Sequence, residues 1–208
     1  MICGEKSMNS DNSKAQELVL ASSSRYRRAL LQRLGLRFIA VSPDVDESPQ
    51  ADEDISRITQ RLAQAKAAAL GPRFPQACII GSDQLCVTTG PSPTLLGKPG
   101  TRDAAVQQLQ TLSGRTVHFH TAVCVLQQQH VRLASDITQV RFRELNPSEI
   151  ERYLDAEPEA IHCAGSFMSE ALGISLCETI SSDDPSALIG LPLIATGRLL
   201  REAGYAIP

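Results

Sequence analysis

Residues 18–34, LVLASSSRYRRALLQRL, carry a short apolar strand into three serines, three arginines and an amphipathic helix. Val19 and Leu20 are buried-strand residues, Ser22 to Ser24 offer hydroxyls as N-caps, and Ala29, Leu30, Leu31 and Leu34 trace an apolar helical face. A helix start fed by a strand is a ready anion site, because its free N–H groups and dipole attract phosphate and Arg25, Arg27 and Arg28 can clamp one. A capped surface helix with solvated arginines shares this local pattern. The rest of the chain decides between the two.

At 208 residues the chain makes one domain of generous size or two small lobes, long enough to bury a core. A net charge of −3 leaves no basic surplus for a nucleic-acid polymer or a membrane surface, so any phosphate site is local. The six cysteines, Cys3, Cys78, Cys86, Cys124, Cys163 and Cys177, form no C-x-x-C pair and are expected as free thiols of a reducing cytosol. No apolar run reaches ~18 residues, so a soluble cytoplasmic protein is expected. Residues 1–16 are polar and read as a disordered extension, leaving 17–208 as a single domain.

In chain order, residues 37–41 read as a second strand, and Pro43 and Pro49 bracket an acidic loop carrying Asp44, Asp46 and Glu47. Apolar residues at Ile55, Ile58, Leu62, Ala65, Ala69 and Leu70 predict a helix that Gly71-Pro72 stops. Residues 77–87, ACIIGSDQLCV, form a strand whose apolar run is broken by Gly81, Ser82, Asp83 and Gln84. A charge inside a buried strand costs several kcal/mol unless it is paired or binds a metal, so Asp83 demands a reason. A Gly/Pro-rich loop ends in Gly97-Lys98-Pro99, and a helix over 101–112 follows with Thr101 as its cap. Residues 115–126 and 130–142 predict a hairpin, 146–156 a helix with Pro147 in its first turn, 162–170 a Gly/Ser loop, 173–180 a strand and 193–203 a last helix. Strands and helices alternate throughout, which favours a mixed α/β sheet flanked by helices.

LASSSRYRR at 20–28, DVDES at 44–48, LAQAKA at 62–67, GSDQ at 81–84, GKP at 97–99, HCAGSFMSE at 162–170 and GLPL at 190–193 together resemble the Maf-like nucleoside triphosphate pyrophosphatases, in the family's order and over nearly the whole chain. The aromatic residue among the arginines, GSDQ and GSFMSE resemble the branch of that family acting on 7-methyl-GTP. The resemblance implies an elongated, twisted mixed sheet with two lobes around a cleft. It also implies cleavage between the α- and β-phosphates to a monophosphate and pyrophosphate, with Mg²⁺ or Mn²⁺, in a cytoplasmic homodimer.

Such hydrolysis needs charge neutralisation, a positioned water and a proton acceptor. Asp83 is the expected proton acceptor, since the family motif and the awkward buried charge agree on it. Glu47 is the expected metal-holding or water-orienting carboxylate, so Asp83 and Glu47 are the metal candidates, hard oxygen ligands suited to Mg²⁺ or Mn²⁺. Lys66 and Lys98 supply positive charge to the triphosphate; a lysine at the place of Lys66 could otherwise serve only the helix dipole. Ser22, Arg27 and Arg28 complete the phosphate cradle. Tyr26 offers an electron-rich face to the cationic ring of N7-methylguanine, where relatives mostly carry Trp. Glu170 can accept from guanine N1–H and N2–H₂, where relatives preferring dTTP or UTP tend to carry Gln. Gln84 is a candidate reader of base or ribose. Arg25 stands where the family often has proline and is given no role. His118 and His120 share a strand face without a third ligand, and His162-Cys163 and Ser166 lack the context of a nucleophile. Broader hydrolysis of modified nucleotides, a dTTP or UTP pyrophosphatase, and a nucleotide-binding regulator of septum formation are the competing expectations.

Overall fold

The computed structural model describes residues 16–48, 50, 53–91 and 93–208. Its strands are β1 (Leu18–Ala21), β2 (Ile39–Val41), β3 (Cys78–Thr88), β4 (Leu95–Leu96), β5 (Thr116–Gln127), β6 (His130–Phe142) and β7 (Cys177–Ser181). Its helices are α1 (Arg25–Gln32), α2 (Ile55–Leu70), α3 (Arg102–Leu112), α4 (Pro147–Ala156) and α5 (Leu193–Glu202). All seven strands join one mixed sheet in the order β2-β1-β3-β5-β6-β7, with β4 on the edge of β3. β1 pairs in parallel with β2 and β3, and the other pairings are antiparallel.

The long strands β3, β5 and β6 hold two cores on one sheet face. Cys78, Ile80, Val123 and Val125 pack with Leu30, Leu31 and the apolar side of α5 at one end. Cys86, Val117 and Phe119 pack with α3, α4, Phe142 and Phe167 at the other. Residues two apart on a strand share a face, so Ser82, Gln84 and Thr121 lie on that same face between the two cores. An apolar strip interrupted by a polar stripe divides the molecule into the two expected lobes. On the opposite face α2 packs its Ala63, Ala67 and Leu70 over Val19, Ile79 and Cys124.

The expected cap of α3 is present, Thr101 accepting from the Ala104 N–H, and α4 starts with Pro147 behind a reciprocal capping box of Asn146 and Glu149 that was not expected. The β5–β6 hairpin turns through Gln128 and Gln129, with Gln128 in the left-handed region at φ 55°. Two expectations need correction. The strand expected over 173–180 begins only at Cys177, because Leu172–Leu176 is a 3-10 turn. There the Leu172 N–H donates to Glu157 and Gly173 lies so close to the Met168 carbonyl that a Cβ would sit 2.5 Å from it, a packing no extended chain achieves. Gln16, expected as the last residue of a disordered extension, is instead tied down: it donates to the Gln76 carbonyl and accepts from Gln127 and Tyr205. Residues 1–15, with Cys3, lie outside the described residues, as do Pro49 and Asp52 of the acidic stretch. The cysteines at 78, 86, 124, 163 and 177 are free thiols.

Candidate functional site

The site begins with a gap in an edge of β3. β1 pairs with that edge only as far as Gly81 and β4 resumes at Cys86, so among the described residues Ser82–Leu85 meet no strand on this side. Asp83 stands in that opening, on the face covered by α2, while Gln84 points to the other face. α2 comes unusually close because Gly81 lies beneath it: a Cβ there would sit 2.1 Å from the Ala63 carbonyl oxygen and 2.7 Å from the Ala67 nitrogen. Lys66, in the turn between those two alanines, is thereby pressed against the strand.

The Lys66 ammonium donates to Asp83 Oδ1 at 2.6 Å and pairs with Glu47 Oε1 at 2.7 Å. Lys66 is therefore a buried bridge between two carboxylates, and the helix-dipole alternative falls away. Asp83 is only 5% exposed, and its Oδ2 is the one buried side-chain polar atom without a hydrogen-bond partner among the described residues. An orphaned buried acceptor costs about 1–3 kcal/mol, more when charged, so this oxygen is kept for something that arrives. Burial pushes the Asp83 carboxyl above the ordinary carboxylate range; Lys66 and Arg27 pull it back and Glu47 adds to the rise. For Glu47, burial acts the same way but the Lys66 hydrogen bond and charge outweigh it, with Lys98 and Arg27 assisting, and hold it below the usual range. Two neighbouring carboxylates are thus driven in opposite directions, the arrangement that separates a proton acceptor from a permanently ionised partner.

Three connected cavities of about 350, 120 and 300 Å³ open here, and Arg27 and Lys98 line all of them. Arg27 is half-buried and its Nε donates to the Gly190 carbonyl at 2.8 Å. Burial lowers its pKa while Asp83 and Glu47 support its charge. Ser24 is the cap of α1, accepting from the Arg27 N–H, and buried Ser22 accepts from the Ser24 N–H. Lys98 is exposed on a loop held by its neighbour's carbonyl, since Gly97 O accepts from Gln108 and from the Gly165 N–H. Arg28 departs from expectation. One residue further around α1 turns it by ~100°, and it lines a separate depression with Gln32, Arg37 and Phe38, outside the cleft.

The smallest cavity joins Tyr26, Gln84, Phe167 and Glu170. Gln84 gives its amide nitrogen to the Ala187 and Leu188 carbonyls at 2.9 and 3.0 Å, so Oε1 is the atom it can offer a ligand. Glu170 is exposed as a residue, but partial desolvation of its carboxyl in this cavity raises it above its usual range, with Glu157 contributing. Tyr26 accepts from Arg25 at 2.7 Å, and the Arg25 guanidinium lies 4.8 Å from the ring centroid while facing Glu159 at 3.6 Å. Neither Arg25 nor the carbonyls of 187–190 carries a role in the sequence reading. The only forewarning was the GLPL landmark at 190–193.

A larger cavity of about 480 Å³ lies at the β5–β6 turn, but His130 is its only titratable side chain, so it lacks the groups for chemistry. His118 and His120 do share a face, with ring centroids 6.3 Å apart and His120 Nδ1 3.2 Å from Ser56 Oγ. Among the described residues no group of three or more His, Cys, Asp or Glu could hold a metal ion. The donors that could share one in the cleft are Asp83 Oδ2 and the second oxygen of Glu47. They are hard ligands that leave most of the coordination shell to water and to a ligand's own phosphate oxygens, as Mg²⁺ prefers.

The Maf-like protein family matches the chain over residues 17–203. The chain belongs to that family. A relative from Xanthomonas oryzae pv. oryzae, named 7-methyl-GTP pyrophosphatase, is 56% identical over 191 residues, covering 92% of this chain and 98% of that protein. Relatives of the same name from Aromatoleum aromaticum and Bordetella pertussis are 50% and 49% identical, covering 92% and 90% of this chain and 98% and 92% of their own. Asp83, Lys66, Glu47, Arg27 and Lys98 of this Maf-like chain meet in one cleft, with Tyr26 and Glu170 at its outer end.

Proposed function

We propose that this Maf-like protein hydrolyses 7-methyl-GTP between its α- and β-phosphates, giving 7-methyl-GMP and pyrophosphate. The observation that carries the reading is the unpartnered Asp83 Oδ2, a buried carboxylate oxygen in a cleft that also holds the cationic Arg27, Lys66 and Lys98. In the proposed reaction this oxygen takes a proton from the attacking water, while Lys66 on Oδ1 keeps the carboxylate oriented. Arg27 and Lys98 neutralise charge on the phosphates as the anhydride bond breaks and pyrophosphate departs with the electron pair. Glu47 would hold Mg²⁺ or Mn²⁺ through its second oxygen, with water and the phosphate oxygens completing the shell, and the ion would supply charge neutralisation while Asp83 Oδ2 stays free as the proton acceptor. Tyr26 stacks on the base, an interaction worth ~0.5–2 kcal/mol with a cationic ring, and Glu170 accepts from the guanine N1–H and N2–H₂ edge.

The names of the relatives support 7-methyl-GTP as the substrate. A cytoplasmic homodimer belongs to the same proposal; among the described residues no helix is long and apolar enough to cross a membrane. A second reading, hydrolysis of a broader set of modified nucleotides, is favoured by one observation. The Arg25 guanidinium already lies on the Tyr26 ring, and one cation there opposes another. Pyrophosphate release from 7-methyl-GTP, GTP, dTTP and UTP, measured in parallel with Mg²⁺ and with Mn²⁺, separates the readings. The expected result is the highest kcat/KM for 7-methyl-GTP; a preference for dTTP or UTP rejects the base assignment, and no release from any rejects the reaction.

A further inference from the structure

Between β7 and α5 the chain crosses the sheet face as a strap whose two anchors are buried. Asp184, 4% exposed, accepts through Oδ1 from the Ser186 N–H at 3.2 Å and lies 2.6 Å from the Ser186 hydroxyl. Its Oδ2 accepts from the Ile194 and Ala195 N–H groups at 2.7 and 3.3 Å, in the first turn of α5, where Pro192 offers no side-chain cap of its own. The Asp184 N–H is in turn bound to Asp136 on β6 at 3.1 Å. Ser186 Oγ accepts from the Leu193 N–H at 2.7 Å and sits 2.9 Å from the Leu191 carbonyl. One carboxylate and one hydroxyl therefore tie together both ends of the segment.

The carbonyls between those anchors face the polar stripe that separates the two cores. Ala187 O accepts from Thr121 at 3.0 Å and from Gln84 at 2.9 Å, and Leu188 O from Gln84 at 3.0 Å. Gly190 O accepts from Arg27 Nε at 2.8 Å and lies 2.9 Å from Ser82 Oγ. Gly190 is at φ 110°, a left-handed backbone that glycine adopts without strain and that turns its carbonyl toward Arg27, while a Cβ there would make only ordinary contact with Arg27 Nε at 3.4 Å. Gly190 O is the one hydrogen-bond partner of the Arg27 guanidinium among the described residues. A guanidinium held through Nε keeps its two terminal nitrogens free, and these form the end-on fork that meets a phosphate bidentately.

We propose that residues 184–190 are a positioning strap for Arg27, anchored by Asp184 and Ser186, in which the Gly190 carbonyl sets which edge of the guanidinium faces the phosphates. The inference deepens the proposed reaction and rests on Arg27 as a phosphate ligand. A double-mutant cycle tests it, with kcat and KM measured on 7-methyl-GTP and melting temperature measured on every variant. Ser186→Ala should lower kcat/KM about tenfold in the native background, and less than about twofold once Arg27→Lys has removed Nε, because coupled residues are non-additive. The loss in melting temperature should be the same in both backgrounds. Asp184→Asn should repeat the pattern; if it does not fold, Ser186→Ala, which deletes one hydroxyl, carries the test. Equal fold-losses of kcat/KM in the two backgrounds, or native kcat/KM in a strap variant, would overturn the strap. Native kcat/KM for Arg27→Lys alone would instead reject Arg27 as a phosphate ligand, and the strap with it.

Discussion

The two ends of the cleft are built differently. At the inner end Asp83, Lys66 and Ser22 are buried, and with half-buried Arg27 each is fixed by a hydrogen bond from a strand, a helix or the strap. At the outer end Arg25 and Glu170 are exposed, Tyr26 is half-buried, and Arg25 contacts both Tyr26 and Glu159 across the surface. A triphosphate is the same in every nucleotide, so the groups that meet it can be pre-organised into the core. In the proposed reaction bases differ, and selection among them falls to the outer end, where a substitution costs the fold little. Asp83, Lys66 and Glu47 instead keep one connected geometry.

If that contrast is real, a change at the inner end lowers activity on every nucleotide alike, and a change at the outer end alters only their ratio. The largest effect is expected from Asp83→Asn, which should cost ~10²–10⁴-fold in kcat on all four nucleotides while binding persists; steady-state kinetics beside equilibrium binding shows this, and normal turnover would place the base elsewhere. The same residue sets the pH profile. Burial raises the Asp83 carboxyl and the base works deprotonated, so native kcat/KM should fall with falling pH at values above the ordinary carboxylate range, through loss of the charged form. An acid limb at ordinary carboxylate values would contradict this assignment.

Gly81→Ala comes next. Its Cβ would meet the α2 backbone at 2.1 Å, and overpacking of this kind costs roughly 1–3 kcal/mol, to be read by urea denaturation. Because α2 carries Lys66, all substrates should slow together; a stability loss without a rate loss would uncouple the helix from the site. At the outer end, Glu170→Gln should change the 7-methyl-GTP to UTP ratio of kcat/KM by about tenfold, the scale of one unmatched polar edge, with little change in melting temperature. The smallest effect is expected from Tyr26→Trp, a two- to fivefold gain for 7-methyl-GTP over GTP, in line with the ~0.5–1 kcal/mol that separates exposed cation–π partners. A loss of activity on all nucleotides in either outer variant would erase the contrast between the ends.

Much of the inner site was legible in the chain. An acid inside an apolar strand is costly wherever it lies, so Asp83 stood out without any structure, and the helical spacing of Ile58, Leu62, Ala65 and Ala69 placed Lys66 on α2. Local periodicity also contained the reason that Gln84 parts from Asp83, since neighbours on a strand face opposite ways, yet nothing local said which face held the cleft. The placement of Arg28 away from the cleft has the complementary reason. Three arginines in one short segment look like a clamp, but a helix spreads consecutive residues around its axis, and only the packing of Leu30 and Leu31 into the core determines which arginine turns inward. The 3-10 turn over Leu172–Leu176 was missed because Gly173 packs against the Met168 backbone, a contact with no signature in alternation.

The amino-acid sequence by itself determined the longer strands and helices, the Thr101 cap and the chemical types at the site, because those follow from interactions between residues near in the chain. Only the tertiary structure decided how they meet. Gly81 lets α2 lower Lys66 onto Asp83, and the Gly190 carbonyl holds Arg27 across 163 residues of chain. Such contacts depend on the closure of the whole sheet, and a backbone carbonyl, common to every residue, leaves no mark in the sequence that it will be the one to orient an arginine.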